Sequence, residues 1–171
     1  MRPATDRSAF DEFVHARGSA LTRTAYLLTG DHHLAEDLVQ ASLVKAAHHW
    51  ERIETSPEAY VRRTMYHQNI SWWRQRRLKE SSLQDRDMAG YDAPMASSDP
   101  TLRLTLEQAL RRLTPRQRTV LVLRYFEDLT EVQTAAAMGI SSGSVKSMTR
   151  QALGRLRVLA PELADLMGAD A

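Results

Sequence analysis

Apolar residues return at helical spacing in two blocks of this chain, and the stretch between the blocks has no period. Within residues 9–28 they fall at Phe10, Phe13, Val14, Leu21, Ala25 and Leu28. Steps of three, four and seven residues predict an amphipathic helix. Gly30-Asp31 predicts a stop and a restart, because Gly accepts a left-handed backbone and Asp caps free N–H groups. The second helix is expected over residues 32–52, with Val39, Leu43, Ala46, Ala47 and Trp50 on one face. Ser56-Pro57 opens a third, Ser as cap and Pro at the first helical position. It continues to about residue 78, and Val61, Met65 and Trp72 share a stripe that reads as core.

Residues 80–100, ESSLQDRDMAGYDAPMASSDP, are polar, small and proline-bearing, and read as a flexible linker. The second block opens with a helix marked by Leu106, Leu110 and Leu113, and Thr114-Pro115 starts the next. Its apolar positions are Val120, Leu121, Leu123 and Phe126, a looser helical spacing. Residues 130–138 predict another helix, Gly139 a turn, and residues 142–159 the last helix. The expected fold is all-α: two small helical domains, residues 1–79 and 101–171, joined by the flexible linker.

The stretch TEVQTAAAMGISSGSVKSMTRQAL, residues 130–153, fits a helix-turn-helix. That motif needs a small residue where the helices cross, a turn residue tolerant of positive φ, and an aliphatic plug. Ala135, Gly139 and Val145 supply them at the right offsets, with Ser141 or Ser142 as the cap. Ser144, Lys146, Ser147, Arg150 and Gln151 then face outward, and short polar and cationic side chains suit phosphates and base edges.

Composition narrows the remaining choices. Aromatics are only 6% of residues and hydrophobics 43%, which favours packed helices over a β-sandwich. With no cysteine, neither a disulfide frame nor a thiolate zinc site exists. No apolar run approaches the roughly 20 residues of a membrane span, and the charged start lacks a signal-peptide core, so a cytoplasmic location is expected. Net charge is only +2, but basic residues concentrate at 62–79 and 146–157 while 31–54 is acidic, which implies separate surfaces for separate partners. The small apolar end of the tail, Gly168 to Ala171, has the character of a protease signal.

Three segments then resemble one family in order. AEDLVQASLVKAAHHW, residues 35–50, resembles region 2.1–2.2 of the extracytoplasmic-function sigma factors. AYVRRTMYHQNISWWRQRR, residues 59–77, resembles their promoter-melting segment, and its WWR an actinobacterial subgroup. LEQALRRLTPRQRTVLVLRYFEDLT, residues 106–130, with the helix-turn-helix behind it, resembles region 4.

The resemblance implies a sigma factor: a non-enzymatic subunit that binds core RNA polymerase, recognises −35 and −10 elements and assists melting. Residues 1–79 would bind core polymerase and the −10 element, and residues 101–171 the −35 element. Glu36, Asp37 and Gln40, on one helix face, would dock on the arginine-rich clamp helices of the largest subunit. The flap of the second-largest subunit and an anti-sigma factor are further implied partners. Ile53, Glu54, Thr55 and Ser56 match the loop that takes an extruded −10 base, and Arg62, Arg63, Arg74, Arg76 and Arg77 would hold the strand's phosphates.

His67 stands where most members carry Asn, and Ser71 where Asp is usual. Either His67 reads the −10 base differently or the match slips by a turn, since Asn69 lies two positions away. Ser144, Lys146, Ser147 and Arg150 would read the −35 element, with Arg116 and Arg124 nearer phosphates. Gln133 and Thr134 replace a commoner acidic and aliphatic pair, an expected softening of the packing. No cofactor, metal or small-molecule substrate is implied.

Two other classes account for less of the chain. A free-standing dimeric repressor explains residues 102–160 but leaves the acidic second helix and the arginine-rich third unused. A metalloenzyme would use His32, His33, Glu36 and Asp37, or His48-His49, whose i, i+4 spacings suit metal ligands, but adjacent histidines diverge around a helix and no nucleophile or HExxH pattern accompanies them.

Overall fold

A computed structural model describes residues 4–54, 56–80 and 100–164. Most of the expected linker and the last seven residues, the proposed protease signal among them, lie outside the described residues. The described chain consists of helices and their connections, without a strand, and divides into two compact units, Met1–Ala89 and Gly90–Ala171.

In the first unit α1 (Ala4–Thr29), α2 (His32–His49) and α3 (Pro57–Glu80) each pack on the other two. Leu21, Ala25, Leu28, Leu38, Val61 and Met65 form the core. Gly30 makes the α1–α2 corner at φ 70°, and its N–H reaches the Tyr26 carbonyl at 2.7 Å. Asp31 caps α2 by accepting from the Leu34 N–H at 2.8 Å. The helix stops three residues short of the expected end, and Trp50–Arg52 tighten into a 3-10 turn. The buried face of α2 runs through Ala35, Leu38, Val39, Ser42 and Ala46, and Leu43, Ala47 and Trp50 are half-buried. Trp72, expected in the core beside Val61 and Met65, is also only half-buried.

The second unit is built around α7 (Ser142–Leu159), which packs on α4 (Pro100–Arg111), α5 (Pro115–Leu121), α6 (Glu131–Met138) and α8 (Pro161–Ala164). Thr114 and Gln117 close a capping box over α5, each side chain bonding the other's backbone N–H at 3.2 and 3.3 Å. Leu110, Leu113, Val120, Leu123, Val145, Leu153 and Leu156 are buried, but Leu106 is 39% exposed. On α4 the inward positions fall instead at Ala109 and at Glu107, whose carboxylate accepts from Arg103 Nε at 3.0 Å.

Between α5 and α6, Val122–Phe126 widen into a π-helical turn, closed by the Glu127 N–H on the Val122 carbonyl at 2.9 Å. The additional residue in that turn rotates the chain, and Phe126 at its end is 45% exposed. Asp128 follows with φ 54°, the sole non-glycine residue at positive φ among the described residues.

Candidate nucleic-acid interface

The helix-turn-helix comprises α6 and α7. Thr130 caps α6 through a capping box with Gln133, at 3.1 Å from the Gln133 N–H and 2.9 Å back from Gln133 Oε1. Gln133 thus secures the helix start rather than softening it. Thr134 is different: it is fully buried, and its hydroxyl has no hydrogen-bond partner among the described residues. Gly139 turns at φ 67°, and the Ile140 N–H closes the turn on the Ala135 carbonyl at 3.1 Å. Ala135 and Val145 are buried where the helices cross.

Ser141 is the cap of α7, accepting from the Ser144 N–H at 3.1 Å. Its hydroxyl also lies 2.9 Å from that of Ser144, so the Ser144 side chain already has a partner within the helix start. Lys146, Ser147 and Arg150 are exposed, with no side-chain partner among the described residues. At about 100° per residue, Lys146 and Arg150 project within roughly 40° of each other.

Arg116 and Arg124 sit differently. Arg116 is half-buried in the first turn of α5. Arg124 lies on the π-helical turn and donates from Nη1 to the Leu129 carbonyl, one residue before the cap of α6. It braces the start of the helix-turn-helix.

In the first unit, the expected phosphate ligands separate into two groups. Arg63, His67 and Arg74 are exposed on one stripe of α3, and Ser71 continues it. Their spacings of four and seven residues keep them within about 40° around the axis. Arg62 points elsewhere: its Nε and Nη2 donate to Glu58 Oε1 at 3.1 and 2.8 Å, and its Nη1 to the Thr24 hydroxyl at 2.8 Å. Its side chain is 19% exposed and fastens α3 to α1. Arg76 is half-buried on the side of α3 away from the stripe. Thr55 and the Arg77 side chain lie outside the described residues. His67 is exposed and Asn69 buried, so the register that places His67 on the outer stripe leaves Asn69 facing inward.

The loop into α3 presents Glu54 and Ser56 to solvent, with Ile53 half-buried. Ahead of it, Trp50 lies edge-on to Phe10 at 5.0 Å and tilted against Phe13 at 5.4 Å, both on α1. Lys45 Nζ reaches Gln68 Oε1 at 2.5 Å and joins α2 to α3. Glu36, Asp37 and Gln40 are exposed on α2, without side-chain partners among the described residues, and Val44 extends their face by one turn. Sequence reasoning missed the aromatic contacts of Trp50, although Phe10 and Phe13 one turn apart carried the signal. Among the described residues no group of three or more His, Asp or Glu is placed to hold a metal ion.

Known proteins share this arrangement. Residues 13–79 match Sigma-70 region 2 and residues 109–158 match Sigma-70, region 4. An RNA polymerase sigma-E factor of Streptomyces coelicolor is 39% identical over 150 residues, spanning 86% of this chain and 84% of that protein. The ECF RNA polymerase sigma factor SigL of Mycobacterium tuberculosis is 33% identical over 165 residues, spanning 92% and 89%. Among solved structures, the sigma factor RpoE of Bartonella quintana, determined in complex with the anti-sigma factor NepR, superposes with a TM-score of 0.69. It is 26% identical and aligned over 88% of this chain and 96% of that one. With region 2 folded as α1 to α3, region 4 carrying the helix-turn-helix, and actinobacterial relatives along most of its length, the chain belongs to the extracytoplasmic-function group of the sigma-70 family of RNA polymerase sigma factors.

Proposed function

We propose that the two units divide promoter recognition, residues 1–79 serving core polymerase and the −10 element and residues 101–171 the −35 element, with residues 80–100 linking them. As a sigma factor the protein gives core RNA polymerase its promoter specificity and is not an enzyme. The observation that carries the residue-level reading is the division among the α3 arginines. Arg62 is engaged inside the fold, whereas Arg63 and Arg74 stand exposed with His67 on one stripe of the helix into which the loop leads.

On this reading Ile53, Glu54, Thr55 and Ser56 take an extruded non-template base, His67 faces the −10 strand, and Arg63 and Arg74 hold its phosphates. Lys146, Ser147 and Arg150 read the −35 element in the major groove, and Arg116 lies nearer its phosphates. Arg62 and Arg124 support these surfaces from within.

Glu36, Asp37 and Gln40 dock on guanidinium groups of the clamp helices, carboxylates being their natural partners. The flap of the second-largest subunit is assigned to Tyr125, Phe126 and Val132, which are 60%, 45% and 70% exposed. Large apolar side chains left this open on a small unit mark a contact surface. An anti-sigma factor is a further partner, on the support of the RpoE–NepR complex. The cytoplasm, where RNA polymerase works, is the assigned location, and among the described residues no helix is long and apolar enough to cross a membrane.

Run-off transcription on fragmented genomic DNA, with purified core polymerase and with or without this protein, tests the assignment. New start sites sharing −35 and −10 elements are expected, and the Arg63→Ala, Arg74→Ala double variant loses them. An absence of new starts would sink the reading.

A further inference from the structure

We infer that α1 is a splint that sets the shape of the −10 loop, with Trp50 and Glu58 as positioning residues that tune which base the loop accepts. The inference rests on the −10 assignment given above.

The loop's exposed residues Glu54 and Ser56 have no side-chain partners of their own among the described residues. Its form is therefore imposed from its flanks, and both flanks are pinned to α1. On one side Trp50 packs against Phe10 and Phe13, and the Ile53 N–H returns to the Trp50 carbonyl at 3.3 Å. On the other side Glu58 meets Arg17 Nε at 3.1 Å through Oε2, while its Oε1 receives Arg62, which in turn reaches Thr24.

The four α1 residues, Phe10, Phe13, Arg17 and Thr24, are separated by three, four and seven positions. Those steps place all of them within about 60° on one side of a rigid helix. One rod therefore fixes the distance between the start and the end of the loop. The two pins use unlike forces, aromatic packing and a charged cluster, and so respond differently to solvent and salt.

A pocket for an extruded base has to hold its shape to a fraction of an ångström, and residues behind the contact surface supply that constraint. If the pins served the fold alone, loosening them would weaken transcription from all promoters alike. If they position the loop, loosening them changes the ranking of −10 sequences.

The test uses holoenzyme reconstituted from the full chain and core polymerase, on promoters with one −35 element and every base at each −10 position. Phe13→Leu, Trp50→Leu and Glu58→Gln are each expected to shift the ratio between the best and second −10 base by about tenfold, the scale on which sub-ångström misplacement acts. Trp50→Phe, which keeps an aromatic ring, is expected to restore the ratio. Arg17→Ala loosens the charged pin at a side chain that is 55% exposed, and an exposed ion pair contributes little to folding. A changed ratio in that variant therefore cannot be attributed to a weakened fold.

Uniform loss across all −10 variants, following a lowered melting temperature, would overturn the splint and leave the pins as fold stabilisers. Glu54→Ala and His67→Ala separate the two levels. If they leave the ratios untouched, the −10 assignment itself fails; if they change the ratios and the pin variants do not, the splint alone fails.

Discussion

Arg62 and Thr24 meet across two helices, Nη1 of the arginine donating to the threonine hydroxyl at 2.8 Å over 38 positions of sequence. With Nε and Nη2 on Glu58 and Nη1 on Thr24, all three nitrogens of the side chain are engaged within the first unit. Its neighbour Arg63, one residue along the same helix, has no partner among the described residues.

The two arginines should separate on substitution. Arg62→Ala is expected to lower the stability of the first unit by about 1–2 kcal/mol, since it strips a largely buried carboxylate of its main partner. Arg63→Ala should stay within about 0.5 kcal/mol and instead weaken DNA binding. All three tryptophans, Trp50, Trp72 and Trp73, lie in the first unit, so tryptophan fluorescence during urea unfolding reports that unit by itself. Equal midpoints for the two variants would refute the distinction.

Thr134→Val is expected to stabilise the second unit. The threonine is fully buried on α6, and its hydroxyl is unmatched among the described residues. Exchanging that hydroxyl for a methyl of the same shape relieves a desolvation cost of about 1 kcal/mol, or about 4–8 °C in the midpoint of a unit this size. Circular dichroism during heating checks it, and an unchanged or lower midpoint would mean the hydroxyl is satisfied in solution.

On DNA, Arg150 and Lys146 should behave unlike each other. Arg150→Ala is expected to cost about 1–3 kcal/mol of discrimination at one −35 position, the scale of a bidentate base contact. Lys146→Ala should weaken all −35 variants alike and flatten the salt dependence by about one phosphate contact. Binding of holoenzyme to −35 variants across a salt series measures both quantities. Unaltered selectivity in Arg150→Ala would assign that residue to the backbone instead.

The helices were legible because their punctuation is local. Asp31, Thr114, Thr130 and Ser141 cap where their side chains suit free N–H groups, and Gly30 and Gly139 turn at positive φ. The helix-turn-helix was legible for the same reason, since Ala135, Gly139 and Val145 act within a dozen residues of one another. What escaped depends on partners distant in sequence or on altered pitch. An arginine bound to a phosphate and one bound to Thr24 carry the same charge, and neither composition nor spacing separates Arg62 from Arg63. The π-helical turn at Val122–Phe126 changes the residues per turn without a sequence breaker, so the spacing alone does not show that Phe126 faces outward. Leu106 marks α4, but a uniform leucine ladder does not reveal that Ala109 and the Glu107–Arg103 pair take the inward positions.

The stripe on α1 also bears on how this protein is able to diverge. A substitution at Phe10, Phe13, Arg17 or Thr24 alters one pin and leaves the others in phase. Inserting or deleting a single residue between Phe13 and Arg17 would instead swing one half of the stripe by about 100° relative to the other. The aromatic pin and the charged cluster would then face different directions, and no single compensating replacement on α2 or α3 would bring them back together. New promoter preferences can therefore arise in this segment by exchange of side chains, while its length is held fixed.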